Sequence, residues 1–322
     1  MIKLAPVITT VATVVSLALQ LSAQTSAPVA APKPASAAPP PPEKVAMESV
    51  LETISLKSRQ RTTVYTTTEN IEGAFWSADA EQIFFSERGL LTSVPAKGGQ
   101  PRLHDAGLNH LGGSLGYSPD KKQFVLTHYS GEHGSRVYLV PVEGGQPRLV
   151  TTNAPSWWHS CSPDGKTMLF VGLRHDNLDI YSIPVQGGNE TRLTTYPGID
   201  DGPEFSTDGR HIFFNSDRSG RNQIWRMNAD GTGPEQILHD RYHDWYPHVS
   251  PDGKWITFLS YEEPEVKGHP QHRPVLLRLL PTAGGQPEVL ARLTGGQGTY
   301  DANAWSPDSS RIAFISFRPL RR

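Results

Sequence analysis

The sequence predicts an all-β protein, a six-bladed β-propeller built from four-stranded antiparallel blades. A Ser-x-Asp phrase recurs six times, with its serine at positions 77, 118, 162, 206, 250 and 306. Short runs rich in β-branched and aromatic residues follow each copy, with Gly, Pro, Asp and Asn between them, and this pattern is typical of strands. Most repeats are 41 to 44 residues long, which is the length of one propeller blade.

Each repeat provides four strands in order, as its third copy illustrates. The first strand ends just before Ser162, the second covers 168–171, the third covers 180–183, and the fourth ends near Leu193. Pro-Asp-Gly at 163–165 suits the tight turn between the first two strands. The Gly-Gly pair at 187–188 suits the turn between the last two, where positive φ is needed. We interpret Ser-x-Asp itself as a structural element of the first turn.

The sixth copy is incomplete, since only five residues follow Phe317. Two strand-like runs lie before the first Ser-x-Asp, at 50–56 and 61–66. We therefore expect these N-terminal strands to complete the last blade, which would close the ring and protect its strand edges.

The residues before the propeller predict export. Residues 1–23 have a lysine, an apolar stretch and a small-residue cleavage site, as in a secretory signal peptide. Residues 24–44 are rich in Pro and Ala and predict an extended linker. The propeller is expected to cover 45–322, in a monomer located in the periplasm or secreted by a bacterium, with no transmembrane segment in the mature chain.

Composition narrows the function classes. A net charge of −2 gives no indication of nucleic-acid binding. The sequence contains no phosphate-binding loop, no dinucleotide fingerprint and no zinc-type cysteine pattern. Its single cysteine, Cys161, excludes an intramolecular disulfide and is expected to be a buried, inert thiol.

Ser-Pro-Asp-Gly before an apolar strand, Ser-Asp-Arg at 216–218 and the run 223–231 together resemble the WD40-like (PD40) repeat of TolB-type propellers. The resemblance covers roughly residues 46–322. It implies a protein-docking module, the propeller domain of a serine peptidase, or a polysaccharide lyase. TolB proteins carry an α/β domain before the propeller, which this sequence lacks. The peptidase type needs an α/β-hydrolase domain, for which the chain has no room.

Candidate site residues lie in the loops that would open on one face of the ring. Eleven of the twelve histidines fall in or beside such loops, together with acids and aromatic residues that precede the inner strands. We predict that ligand-binding residues at the channel mouth are Glu72, Trp157, Trp158, Asp200, Asp201, His243, Asp244, Trp245, Tyr246, Asp301 and Asn303. The structural alternative is that these are ordinary polar loop residues.

Two functions remain open from these residues. One is a binding propeller that recognises a protein or a glycan at this mouth, with aromatic faces suited to sugar rings. The other is a metal-dependent polysaccharide lyase or hydrolase, similar to oligogalacturonate lyases, although those have seven blades. In that case His159 or His248 would act as the base, and His110, His159 and His248 would bind a divalent metal, Mn, Zn or Ca. The longest insertion, 261–273, is a further candidate for specificity.

Overall fold

The computed structural model describes residues 46–320, and these residues form six antiparallel β-sheets without any helix. The predicted signal peptide and linker lie outside the described residues. Five sheets have four strands that follow the chain in order. Blades one to three comprise β3 (Ile71–Trp76), β4 (Gln82–Glu87), β5 (Leu90–Pro95) and β6 (Arg102–Leu103); β7 (Leu111–Tyr117), β8 (Gln123–Tyr129), β9 (Ser135–Pro141) and β10 (Arg148–Leu149); and β11 (Ser156–Cys161), β12 (Thr167–Arg174), β13 (Asn177–Pro184) and β14 (Thr191–Arg192).

The remaining strands complete the ring. Blades four and five comprise β15 (Asp200–Phe205), β16 (His211–Ser216), β17 (Gln223–Asn228) and β18 (Glu235–Gln236); and β19 (His243–Val249), β20 (Trp255–Tyr261), β21 (Arg273–Pro281) and β22 (Glu288–Gly295). Blade six comprises β23 (Arg311–Pro319), β1 (Met47–Ser55) and β2 (Arg61–Thr67). The fourth strand of each of blades one to four is only two residues long, and such short edges resist edge-to-edge pairing.

The predicted closure of the ring is confirmed. β1 pairs antiparallel with β23 from Met47 opposite Pro319 to Ser55 opposite Arg311. The innermost position of this blade is reduced to one bridge, between Trp305 and Ile312. Blade six also meets blade one, because Trp76 Nε1 donates a 2.9 Å hydrogen bond to the carbonyl of Ala304.

Ser-x-Asp builds the same turn in all six copies, as predicted. The serine hydroxyl donates to the aspartate at 2.5–2.6 Å. In the fourth copy Asp208 accepts a hydrogen bond from the backbone amide of Arg210, and the Ser206 hydroxyl oxygen accepts one from the backbone amide of His211. The motif thus satisfies turn donors that would otherwise lack partners. The Gly-Gly turns have the positive φ angles expected, for example 86° at Gly187 and 123° at Gly188.

The core lies between neighbouring blades. Apolar residues of the inner three strands are buried in five clusters, and the largest joins blades five, six and one. Cys161 lies partly buried against one cluster, and burial raises the pKa of its thiol to about 12, as an inert thiol requires.

Candidate functional site

The innermost strands of blades one to five share a β-bulge shortly before Ser-x-Asp. In β15 the pairing with β16 shifts between Asp201 and Glu204, and in β3 the pairing with β4 shifts between Glu72 and Phe75. In a regular strand, residues at odd and even distances from the serine would point to opposite faces of the sheet. A bulge adds residues and re-aims side chains, so side chains of different parity can share one side.

A cavity of about 250 Å³ lies where these strands approach one another. It touches residues from all six blades and from the insertion in blade five. Its lining residues are Glu72, Gly112, Gly113, Ser114, Trp157, His159, Val171, Leu178, Asp201, Tyr246, His269, Gln297 and Asp301. Six of the residues predicted from the sequence are thus brought together: Glu72, Trp157, His159, Asp201, Tyr246 and Asp301.

His159 and Asp201 form a buried pair in the wall of this cavity. His159 Nε2 lies 3.3 Å from Asp201 Oδ1, and the His159 side chain is 4 % exposed. Burial opposes ionisation of Asp201, but the hydrogen bond and charge of His159, together with the charge of His269, outweigh it and lower the pKa of this carboxyl. The Nδ1 atom of His159 is buried and has no hydrogen-bond partner among the described residues.

Tyr246 has a φ of +57°, which is rare for a bulky residue. Its amide donates a 3.0 Å hydrogen bond to Asn215 Oδ1, which helps to hold the bulge. Its hydroxyl is hydrogen-bonded to His269 Nε2 at 2.9 Å. Burial, with the nearby carboxylates Asp201 and Asp301, raises the pKa of Tyr246 well above its usual value. Backbone strain of this kind is concentrated at functional sites.

Two further carboxyls face the cavity. The backbone amide of Gly298 donates to both carboxylate oxygens of Asp301, at 3.0 Å to Oδ1 and 2.9 Å to Oδ2. Glu72 accepts a hydrogen bond of 2.7 Å from the side chain of Asn70. Burial, and then the negative charge of Glu72, raise the pKa of Asp301 well above its ordinary value. Burial also raises the pKa of Glu72. Gly113 opposes Asp301 so closely that a Cβ atom there would lie 2.4 Å from Asp301 Oδ2.

The insertion in blade five supplies part of the wall. His269 belongs to it and lines the cavity, while Gln271 donates a 3.0 Å hydrogen bond to Asn70 in front of β3. The amide of Gln297 donates to the carbonyl of His269 at 3.0 Å. The sequence analysis did not select His269 or Gln297. The feature that could have identified His269 is a histidine in an unusually long loop. No feature of the sequence identifies Gln297.

His248 and Asn303 do not line the cavity. His248 is buried, with Nδ1 at 3.1 Å from Glu204 Oε2 and Nε2 at 3.1 Å from the carbonyl of Tyr300. Asn303 donates to Glu204 at 2.5 Å. Both imidazole nitrogens of His248 therefore already have protein partners, because this residue lies beyond the bulge and is directed between blades.

The other predicted residues are also placed elsewhere. Asp200 accepts two hydrogen bonds of 2.8 Å from Arg218, and Asp244 accepts one of 2.5 Å from Ser260. His243 lies 3.3 Å from the carbonyl of Pro264. His110 is exposed and, with Arg88, lines an adjoining cavity of about 310 Å³ that shares Gly112 and Trp157 with the first.

Trp158 and Trp245 are core residues. Trp158 is buried in a cluster with β12 and β13, and Trp245 is buried in the largest cluster. Trp245 still borders the site, since its ring lies edge-on to His269 with centroids 4.7 Å apart.

The predicted metal ligands His110, His159 and His248 thus lie in three different surroundings. Within residues 46–320, no three His, Cys, Asp or Glu side chains are positioned to hold one metal ion. The metal assignment gains no support from this arrangement.

The same part of the chain contains no helix long and apolar enough to cross a membrane.

Comparison with known proteins identifies the family. The model of the TolB beta propeller domain (PD40) matches residues 111–272. An uncharacterized protein of Agrobacterium fabrum is 39% identical over 277 residues, which cover 85% of this chain and 94% of that protein. This chain belongs to the TolB β-propeller family. The family relation was predicted from the sequence and is confirmed.

Further similar proteins are a TolB sequence and two solved structures. The Tol-Pal system protein TolB of Wolinella succinogenes is 35% identical over 103 residues, 31% of this chain and 24% of that protein. The structure of a putative TolB from Agrobacterium tumefaciens superposes with a TM-score of 0.81 at 39% identity, over 85% of this chain and 99% of that one. TolB from Acinetobacter baumannii, at 17% identity and a TM-score of 0.58 over 78% of this chain and 64% of that one, shares the fold.

Proposed function

We propose that this chain is an exported interaction module that binds a protein or glycan ligand in the cavity between its six blades. The observation that carries this proposal is the convergence of Glu72, Trp157, Asp201, Tyr246 and Asp301 from separate blades on one space. Because ring closure alone makes these residues neighbours, the site exists only in the folded propeller. The relative from Wolinella is a Tol-Pal system protein, and that name is compatible with a role in an assembly.

A lyase acting on an acidic polysaccharide is less well supported. His159, oriented by Asp201, has the form of a general base. However, three carboxyls line the cavity, and the described lining residues include no lysine or arginine to neutralise a uronate. A negatively charged sugar would meet repulsion there. We therefore propose binding rather than elimination chemistry.

The test places a photo-cross-linking amino acid at Gln297, an exposed residue of the cavity wall, in the producing cells. We expect a cross-linked partner that is lost in Trp157→Ala, because truncation removes an aromatic face of the site. A matched probe at Glu143, exposed on the β9–β10 turn, should give no such product. The purified chain is applied in parallel to a glycan array. A Trp157→Ala variant that folds and keeps every partner would contradict the proposal.

We also propose cleavage after Ala23, so that residues 24–44 join the propeller to the new N-terminus. Mass spectrometry of protein recovered from the periplasm should give a chain that begins at Gln24. Recovery of the intact chain from Met1 in a soluble cytoplasmic pool would contradict export.

A further inference from the structure

The charges around the cavity between the blades define what it can hold. Glu72, Asp201 and Asp301 line it together with the imidazoles of His159 and His269, and the described lining residues include no lysine or arginine. The mutual repulsion of Glu72 and Asp301 contributes to the raised pKa of Asp301. A positive group placed between them would relieve that repulsion, as nearby opposite charges do.

A second, independent observation points to a hydrogen-bond donor. His159 is more than nine-tenths buried, and its Nδ1 has no partner in the described structure. When the imidazole is neutral, its Nε2–H faces Asp201, so Nδ1 is left as an acceptor. A buried acceptor without a partner is costly. For this neutral form the missing partner is a donor, and an ammonium group offers three donors and no acceptor.

The walls fit a cation carried on an apolar stem. Val171 and Leu178 provide aliphatic surface, and Trp157 and Tyr246 provide aromatic rings. Methylene stems cover apolar surface while the charged end finds polar partners, and aromatic faces attract ammonium groups. The volume of about 250 Å³ is below the roughly 300–1,000 Å³ of sites for drug-sized molecules. One inserted side chain suits this space better than a whole small molecule or a sugar chain.

We propose that the cavity receives the side chain of a lysine from a partner protein, with its ammonium group among Glu72, Asp201, Asp301 and His159. This inference rests on the proposed binding function and specifies its partner. The methylene stem passes between Trp157 and the aliphatic residues Val171 and Leu178. A bare metal ion is a poorer occupant, because no three ligating side chains within residues 46–320 are positioned around one point.

The experiment uses calorimetry on the purified full chain with three blocked peptides. They are acetyl-Gly-Gly-Lys-Gly-Gly-amide and the same peptide with Nζ-acetyl-lysine or norleucine in place of lysine. We expect the lysine peptide to bind at least tenfold more tightly than either of the others. Asp201→Asn and Asp301→Asn should each weaken it at least tenfold, whereas Glu143→Gln, which removes an equal charge from an exposed turn, should not change it.

Several outcomes would overturn the inference. Equal binding of all three peptides, or no effect of folded Asp201→Asn and Asp301→Asn variants, excludes recognition of the ammonium group. Tighter binding of glucosamine than of the lysine peptide assigns the site to an amino sugar rather than a protein. If the peptides fail but the cross-link from position 297 still depends on Trp157, the binding function survives and the lysine assignment alone is wrong.

Discussion

Asp301 has the most strongly perturbed environment of the carboxyls in the cavity wall. It is buried and faces the negative charge of Glu72, and backbone hydrogen bonds at Gly298 and Tyr300 compensate only in part. A carboxyl in such a place keeps its proton to a higher pH than in the unfolded chain. Burial and the charge of Glu72 thus favour the protonated form of this carboxyl, and a bound cation would help to ionise it.

The first prediction concerns the pH dependence of stability. Since the pKa of Asp301 is raised in the folded state, the unfolded chain loses this proton first, and stability falls as the pH rises above the unfolded value of about 3.9. Asp301→Asn removes the effect while keeping one acceptor oxygen. We expect the difference in melting temperature, variant minus natural protein, to increase from pH 4 to pH 8. Thermal unfolding at each pH measures it.

The control for Asp301 has the opposite sign. Asp120 accepts a hydrogen bond from Ser118, and its pKa is lowered. The stability that Asp120 contributes is therefore present at higher pH and is lost as the pH falls through the pKa of this carboxyl in the folded protein. The melting temperature of Asp120→Asn should therefore fall relative to that of the natural protein as the pH rises to 8. Parallel pH profiles for Asp301→Asn and the natural protein would show that Asp301 ionises normally.

Gly113 keeps room for Asp301. A Cβ atom at Gly113 would lie 2.4 Å from Asp301 Oδ2, whereas one at the neighbouring Gly112 meets nothing within 4 Å. We expect Gly113→Ala to lower the free energy of unfolding by about 1–3 kcal/mol, as overpacking does. Gly112→Ala should change it much less. Denaturant titration of the two variants measures the difference, and equal values would contradict the close approach.

The turn built by Ser-x-Asp is the element on which the fold prediction depended. Its hydrogen bonds are local in sequence, so six copies specify six equivalent hairpins independently of the rest of the chain. Strand number, turn type and the N-terminal contribution to blade six could therefore be predicted from the sequence. The reduction of the innermost strand of blade six to a single bridge at Trp305 could not.

The candidate site could be predicted only in part because the bulges are not visible as a sequence period. The residue five positions before the serine lines the cavity in five repeats, as Glu72, Gly113, Trp157, Asp201 and Asp301. In blade five it is the core residue Trp245, and Tyr246 lines the cavity instead. His248 has a suitable residue type and a suitable loop, yet it is bound to Glu204. Long-range partners of this kind lie outside any local pattern.

A single turn can be tested with Ser206. Its hydroxyl donates to Asp208 and accepts the amide of His211, so Ser206→Ala leaves that amide without its side-chain acceptor. We expect the free energy of unfolding to fall by about 1 kcal/mol, with no change in binding at the cavity. Ser219→Ala, at an exposed position, is the matched control. A loss of binding in Ser206→Ala at unchanged stability would show that the motif has a functional role.

The whole molecule depends on one long seam. β1 joins two distant parts of the chain by pairing with β23, and Glu52 links both sides by accepting hydrogen bonds from Arg61 and from Ser316. Without this seam the blade that carries Asp301 would have an open edge beside the cavity. Closure of the ring and assembly of the site are therefore one event.

The last prediction follows from that seam. A variant that lacks residues 1–68 loses β1 and β2, so β23 exposes a nine-residue edge to other molecules. Such an edge favours aggregation. We expect this variant to be recovered as aggregate, while a variant that lacks only residues 1–44 elutes as a monomer with the far-ultraviolet spectrum of the full chain. Size-exclusion chromatography with light scattering distinguishes them. A monomeric, cooperatively folded variant without residues 1–68 would show that the other five blades hold the ring closed by themselves.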